Sequence, residues 1–321
     1  MERRTVCCAI ACLVAVWSGC GAWAQQVVSF PAGSSTAPPA ATPGGQPPSI
    51  DVVVSLPLFL AVERGDMATV QDLLAAKPDL INARDRDNNS LLHYAVRRGQ
   101  RDVLEFILGK VTDASPRNTD GSAPMHGAAM LGYADVMTLL TEKGADVNVR
   151  NKEGATPVHA AAMTGQQSAL DFLASRKGEI NAKTNAGMTA LHFAAANGHA
   201  LLVEYLVGKG CDVNAKDYSG AAPLYLAALN GYDAVATALL AKGAAIGDRN
   251  NSGQTALHAA AFHDYPAVIK ALVDRGADLS ARDASGRTAL YIAAEQGNEK
   301  VADVLLAANA PYGERLDAAE A

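Results

Sequence analysis

Aromatic residues make up only 5% of this 321-residue chain, although 49% of it is hydrophobic. With so few large rings and so much alanine, one thick globular core is disfavoured and thin, closely approaching helices are expected. Charge of one sign is lacking too: 27 Lys and Arg stand among 33 Asp and Glu, interspersed, for a formal net charge of -6. Nothing in that balance resembles the basic stripe that neutralises phosphates, so nucleic acid is not an expected partner. Long apolar runs are missing. The main one, Val6 to Trp17, is about 12 residues, short of the roughly 20 that a helix needs to span a bilayer, so no transmembrane segment is expected. G-x-S-x-G, a Walker-type glycine loop and H-E-x-x-H are all absent, which removes sequence support for an enzyme.

What stands at the N-terminus is a processing signal. Arg3 and Arg4 precede the apolar run, and Ala22-Trp23-Ala24 supplies a small-x-small cleavage site, so residues 1–24 read as a secretory signal peptide and the mature chain as free in the periplasm or secreted. Two alternatives stay open. The run could be a buried N-terminal helix, or Trp17-Ser18-Gly19-Cys20 could be a lipoprotein site that anchors the protein through acylated Cys20. Cleavage removes Cys7, Cys8, Cys12 and Cys20 and leaves Cys211, so no intramolecular disulfide is expected. Residues 25–50 hold prolines 31, 38, 39, 43, 47 and 48 with few large apolar groups, and read as a semi-stiff disordered tether. A proline-rich recognition peptide is the functional alternative, though arginine and aromatic anchors are lacking.

From residue 51 to 312 one phrase returns. It ends at Phe59, His93, His126, His159, His192, Tyr225, His258 and Tyr291, at intervals of 33 after His93, with one extra residue in K-P-D-L-I-N at 77–82. Six positions after each anchor comes a glycine, from Gly65 to Gly297, except that Asp264 takes the seventh place. Glycines such as Gly154 or Gly187, five before the anchor, supply the left-handed backbone of a tight turn, and Pro124, Pro157 and Pro223 suit a first helical turn. Alanine pairs such as Ala160-Ala161 then allow a thin first helix, and Leu202, Val203, Leu206 and Val207 give the second its apolar spacing. The connections at 111–116 and 245–247 depart from the G-A-D-V-N type and are expected to be looser joints.

This pattern resembles the ankyrin repeat, a turn plus two helices in 33 residues with a T-P-L-H-x-A signature. The resemblance implies an all-α solenoid of about eight helix-turn-helix repeats, capped by atypical ends and followed by a polar tail at 313–321. It also implies a protein-binding scaffold rather than an enzyme, monomeric and without cofactor. An exported array is similar to bacterial periplasmic members; an effector released onto host proteins is the alternative. The partner itself is unknown.

Five histidines at one register sit about 8–10 Å from their neighbours, too far to share a zinc ion that needs nitrogens about 2.0–2.1 Å away. They read as hydrogen-bonded staples between repeats, and Cys211, where other repeats carry alanine, as an inert packing thiol. N-N-S at 88–90 and 250–252 are glycosylation sequons that matter only on a eukaryotic secretory route.

In ankyrin proteins partners usually meet the turn tips and the exposed ends of the first helices. Four and five positions after each anchor stand Arg97 and Arg98, Met130 and Leu131, Met163 and Thr164, Ala196 and Asn197, Leu229 and Asn230, Phe262 and His263, and Glu295 and Gln296. The expected strip is apolar in the middle and oppositely charged at its ends, with Tyr218, Tyr232 and Tyr133 as aromatic anchors. The alternative is that these apolar groups fold down onto neighbouring repeats.

Overall fold

The computed structural model describes residues 50–309, with side chains from Ser55 onward. The expected signal peptide with Cys20, the expected tether before Ile50 and the tail at 313–321 lie outside the described residues. The chain divides into two units, residues 1–57 and 58–321. The described part of the first is the opening of α1 (Ile50–Arg64), which contains Pro57.

The architecture is all-α, with no strand among the described residues beyond an isolated bridge of Arg84 and Ser90. After α1 and α2 (Met67–Ala76) the helices continue in inner and outer pairs. These are α3 (Leu91–Arg97) with α4 (Arg101–Leu108), α5 (Pro124–Leu131) with α6 (Ala134–Glu142), and α7 (Pro157–Met163) with α8 (Gln167–Ser175). Then come α9 (Ala190–Ala196) with α10 (Ala200–Gly208), α11 (Pro223–Leu229) with α12 (Asp233–Ala241), α13 (Ala256–Phe262) with α14 (Pro266–Asp274), and α15 (Ala289–Gln296) with α16 (Glu299–Ala307). Pro124, Pro157 and Pro223 open their helices, where the missing N–H is no loss.

Inner helices pack side by side from repeat to repeat, and outer helices do the same. Alanine makes this possible: Ala160, Ala161, Ala194 and Ala195 are fully buried, flanked on both sides by another inner helix. Each outer helix adds fully buried aliphatics, such as Leu170 and Leu173 of α8 or Val268, Ile269 and Leu272 of α14. Every such side chain contributes about 1.5–3 kcal/mol, and only because a neighbouring repeat covers it.

Three lattices of polar contact tie the repeats together. The first is the histidine row. Thr156 N–H donates to His159 Nδ1 at 3.1 Å, and His159 Nε2 lies 3.0 Å from Ala182 O and 3.2 Å from Met188 O in the next repeat. An amide can only donate and a carbonyl only accept, so the ring is neutral with its proton on Nε2. His93, His126, His192 and His258 repeat the arrangement onto Ser122 O, Ala155 O, Ala221 O and Arg287 O. Where Tyr225 replaces histidine, its longer side chain passes the carbonyl and donates to Gln254 Oε1 at 2.9 Å.

The second lattice joins the turn tips. Lys152 N–H donates to Asp120 O (2.9 Å), Asn185 to Glu153 O (2.8 Å), Tyr218 to Ala186 O (3.0 Å) and Ala284 to Ser252 O (3.0 Å), one bond per step. The third bridges the connections. Asn148 Oδ1 accepts from Glu179 N–H at 2.8 Å and its Nδ2 donates to Lys177 O at 3.2 Å; Asn214 does the same with Ala245 and Gly243. At the two irregular joints this bridge is weak or gone: Ser115 offers one 3.4 Å contact to Asp146 N, and Gly247 has no side chain to offer.

Candidate protein-binding face

The turn tips and the ends of the inner helices form the face on which a partner was expected, and close approach shapes it. The residue after the inner-glycine position lies over the inner glycine of the preceding repeat: Tyr133 over Gly99, His199 over Gly165, Tyr232 over Gly198, and Tyr265, which follows Asp264, over Gly231. A Cβ on Gly231 would stand 2.7 Å from the Tyr265 ring, so glycine is needed there for the ring to lie down. At the tips the same device recurs, with the Tyr218 ring over Gly187. One ring face is thereby fixed while the other is offered to solvent. Tyr218 is 71% exposed and Tyr232 37%.

The proposed strip divides when its members are placed. Met130 and Leu229, at 5% and 4% exposure, are buried and do not belong to an accessible surface. They stand in the last turn of their helices, where large apolar groups fold between adjacent inner helices instead of facing water. Ala196 is buried as well. Leu131, Met163, Phe262 and His263 are half-buried, and Asn197 is exposed. Thr164 and Asn230 are half-buried, Thr164 because its hydroxyl donates to Met130 O at 2.6 Å, and Asn230 with Nδ2 donating to Leu226 O at 3.0 Å. At the N-terminal end Arg97 and Arg98 are drawn to Glu63 (3.8 and 4.0 Å), which offsets the positive end of the strip.

Tyr265 is a member of this face not singled out from the sequence, though it stands 33 residues after Tyr232. It lies in a cluster with Phe262 and His263, whose rings are 4.9 Å apart, His263 and Tyr265 being stacked at 6.0 Å. Beside them Asp264 holds the left-handed place of the missing glycine at φ 58°. One repeat on, the position that carries a tyrosine, histidine or glutamine from Gln100 to Tyr265 holds the shorter Asn298, whose amide donates to Ala261 O (2.8 Å) and Phe262 O (3.0 Å). His263 Nε2 and Asp264 Oδ1 are buried without a hydrogen-bond partner, and burial lowers the pKa of His263. Arg84 Nη1 and Glu153 Oε2 are likewise buried without a partner, but the seventh repeat is where two such atoms stand side by side at a departure from the repeat pattern.

An ankyrin-repeat model, described as three copies of the repeat, matches residues 58–151, 125–217, 173–250 and 224–315, which together span most of the chain. The chain belongs to the ankyrin-repeat family. Among curated proteins, short stretches are similar to spider toxins. Alpha-latrotoxin-Lg1a of Latrodectus geometricus is 49% identical over 51 residues, 16% of this chain and 4% of that protein. Alpha-latrotoxin-Lt1a of Latrodectus tredecimguttatus is 43% identical over 56 residues, 17% of this chain and 4% of that protein. These matches span about one repeat and a half, so the likeness is to ankyrin sequence and not to the toxins as wholes.

Ankyrin repeats make the protein an interaction scaffold with protein partners. Both nitrogens of each histidine in the row are engaged by protein, as above. Burial pushes the Cys211 thiol up to about 11, which leaves it unionised and inert at neutral pH. No helix among the described residues is long and apolar enough to cross a membrane.

Proposed function

We propose that this chain is an exported scaffold that holds a protein partner on its turn-tip face, centred on the sixth and seventh repeats. The observation that carries the reading is the aromatic platform. Tyr218 and Tyr232 lie flat on glycines of the preceding repeat and remain exposed, and Phe262, His263 and Tyr265 continue the surface. Rings fixed from below lose little entropy on binding and are of the type that dominates hot spots. Leu131 and Met163 extend the apolar area toward the N-terminal end, with Asn197 as a polar contact between them and Tyr218.

A photoreactive amino acid placed at Tyr218 or Tyr232 in the producing cell is expected to trap the partner. The same group at Leu201, exposed on outer helix α10, is expected to trap nothing. Trapping confined to Leu201 would move the interface to the outer helices. With the partner in hand, Tyr218→Ala with Tyr232→Ala should leave helicity unchanged and weaken binding by about 2 kcal/mol or more per ring.

Export rests on the Arg3-Arg4 start, the apolar run and Ala22-Trp23-Ala24. The intact mass of the exported protein is expected to correspond to a chain that begins at Gln25. A mass beginning at an acylated Cys20 would instead make the proline-rich segment a spacer between a membrane and the array.

A further inference from the structure

The cations of this chain are not scattered once the repeats are stacked. Lys77 caps the C-terminus of α2, and every thirty-third residue after it, through Lys110, Lys143, Arg176, Lys209 and Lys242 to Arg275, is again Lys or Arg at the end of an outer helix. All seven are exposed, and none forms an ion pair among the described residues. Seven positions further on, a second row runs from Arg84 to Arg282 with the same interval. Its side chains reach along the stack to the next rung: Arg150 donates to Lys183 O at 2.9 Å, Lys216 to Arg249 O at 3.2 Å, and Arg117 and Arg249 reach the carbonyls of Arg150 and Arg282.

The two rows hold fourteen of the 27 basic residues of a chain whose net charge is -6. In the segments between the paired row positions these cations outnumber the carboxylates, although second-row Arg150 and Lys216 pair with Glu179 (3.4 Å) and Asp248 (3.6 Å). A helix C-terminus explains why a cation is favoured at each first-row position. It does not remove the field that seven such cations, doubled by a second row, project along one line.

Three of the first-row cations are also held in place. Lys110 lies 5.0 Å from the Phe106 ring, Arg176 5.5 Å from Phe172 and Lys209 5.2 Å from Tyr205, each aromatic one turn back on the same helix. Stacking on a ring reduces the freedom a long side chain must lose when it meets an anion.

We propose that this double row is a docking track for an extended acidic polypeptide segment. The interval chooses the occupant. Rungs are one repeat apart, about 8–10 Å, and a chain in polyproline II geometry, with three residues per turn and a rise of about 3.1 Å per residue, presents every third side chain on one face at about that interval. Between the rows stand Asp113, Asp146, Glu179, Asp212 and Asp278, three positions after their first-row cations. Those carboxylates would face the charge that a nucleic-acid duplex carries at about every 1.7 Å of its axis, whereas a peptide presents neutral residues between its acids. The first row stands at the ends of the outer helices, whereas the aromatic platform stands at the turn tips and inner glycines, so first-row substitutions test the track apart from the platform.

Fluorescence anisotropy of the full chain tests the inference. The probe is a labelled peptide of about 20 residues with glutamate at every third position, long enough to span the seven rungs. Its control has the same composition with the glutamates gathered in blocks. The periodic peptide is expected to bind more tightly than the blocked one, and to lose about tenfold or more in affinity when salt rises from about 50 to about 300 mM. The triple variant Arg176→Gln, Lys209→Gln, Lys242→Gln should lose a similar factor, while Lys270→Gln with Lys300→Gln, off the rows, should lose none. Equal binding of the two peptides would overturn the proposal. Tighter binding of a single-stranded oligonucleotide or of vesicles containing anionic lipid would overturn it as well. The comparison of peptides needs no variant, so the test stands even if a substitution impairs folding.

Discussion

Lowering the pH from about 7 to about 5 is expected to remove roughly 6 kcal/mol from the stability of the stack, through three buried histidines alone. His93, His126 and His159 are lowered to about 4, in each case first by burial, with the carbonyl bond of the next repeat working in the opposite direction. Arg84, Arg117 and Arg150 respectively lower them further, since a second positive charge nearby is unfavourable. In the unfolded chain each ring returns to an ordinary value of 6.5. Above that pH neither state binds a proton, and stability does not depend on these groups. Below it the unfolded chain takes up protons that the folded rings refuse, at about 1.4 kcal/mol per pH unit per histidine. The loss continues until the folded rings themselves protonate near 4, and His192 and His258, also lowered by burial, add to it.

Chemical denaturation at a series of pH values reads this directly, by circular dichroism. The midpoint should be flat above about pH 7 and fall steeply below about 6.5. His159→Gln should lower the midpoint at neutral pH yet make the acid slope shallower by one proton. A midpoint that stays constant down to pH 5 would mean that the rings are not neutral staples. Because repeats unfold with their neighbours, loss of one central staple should open the stack on both sides of it.

Much of this was legible in the sequence because a repeat reports itself many times. The anchor residues from Phe59 to Tyr291 fix the register, and the register alone separates a row of staples from a metal site. The same counting finds the outer-helix cations, but only the stacked structure brings them to one edge. Burial of Met130 and Leu229 was not legible. Position in the repeat makes them equivalent to half-buried Met163 and Phe262, and the difference arises from the side chains that neighbouring repeats bring up against them. Asp264 was recognisable as a departure, whereas the bonds from Asn298, one repeat later, to Ala261 O and Phe262 O beside it appear only in the stacked structure. Pairwise fit between repeats is thus the part of the fold that periodicity hides.

That fit can be measured at two glycines of similar backbone and different surroundings. Gly253, at φ 70°, stands at a turn tip where an added Cβ would meet Ala284 N at 2.8 Å and Asp283 C at 3.2 Å. Gly276, at φ 79°, follows outer helix α14, and an added Cβ there meets nothing within 4 Å. Both lose the freedom of glycine in the left-handed region, so Gly276→Ala is expected to cost about 1–2 kcal/mol. Gly253→Ala carries the same strain and must also push back the backbone of the eighth repeat, which is held by the bond from Ala284 N to Ser252 O at 3.0 Å. Such a displacement adds about 1–3 kcal/mol, for a total of about 2–5. Asparagine divides the two causes, because it tolerates the left-handed region and leaves the clash in place. Gly276→Asn should therefore recover most of the loss and Gly253→Asn little of it. Urea midpoints for the four variants decide the matter, and equal costs for Gly253→Ala and Gly276→Ala would mean that turn tips do not pack on one another as the bonded line between them requires.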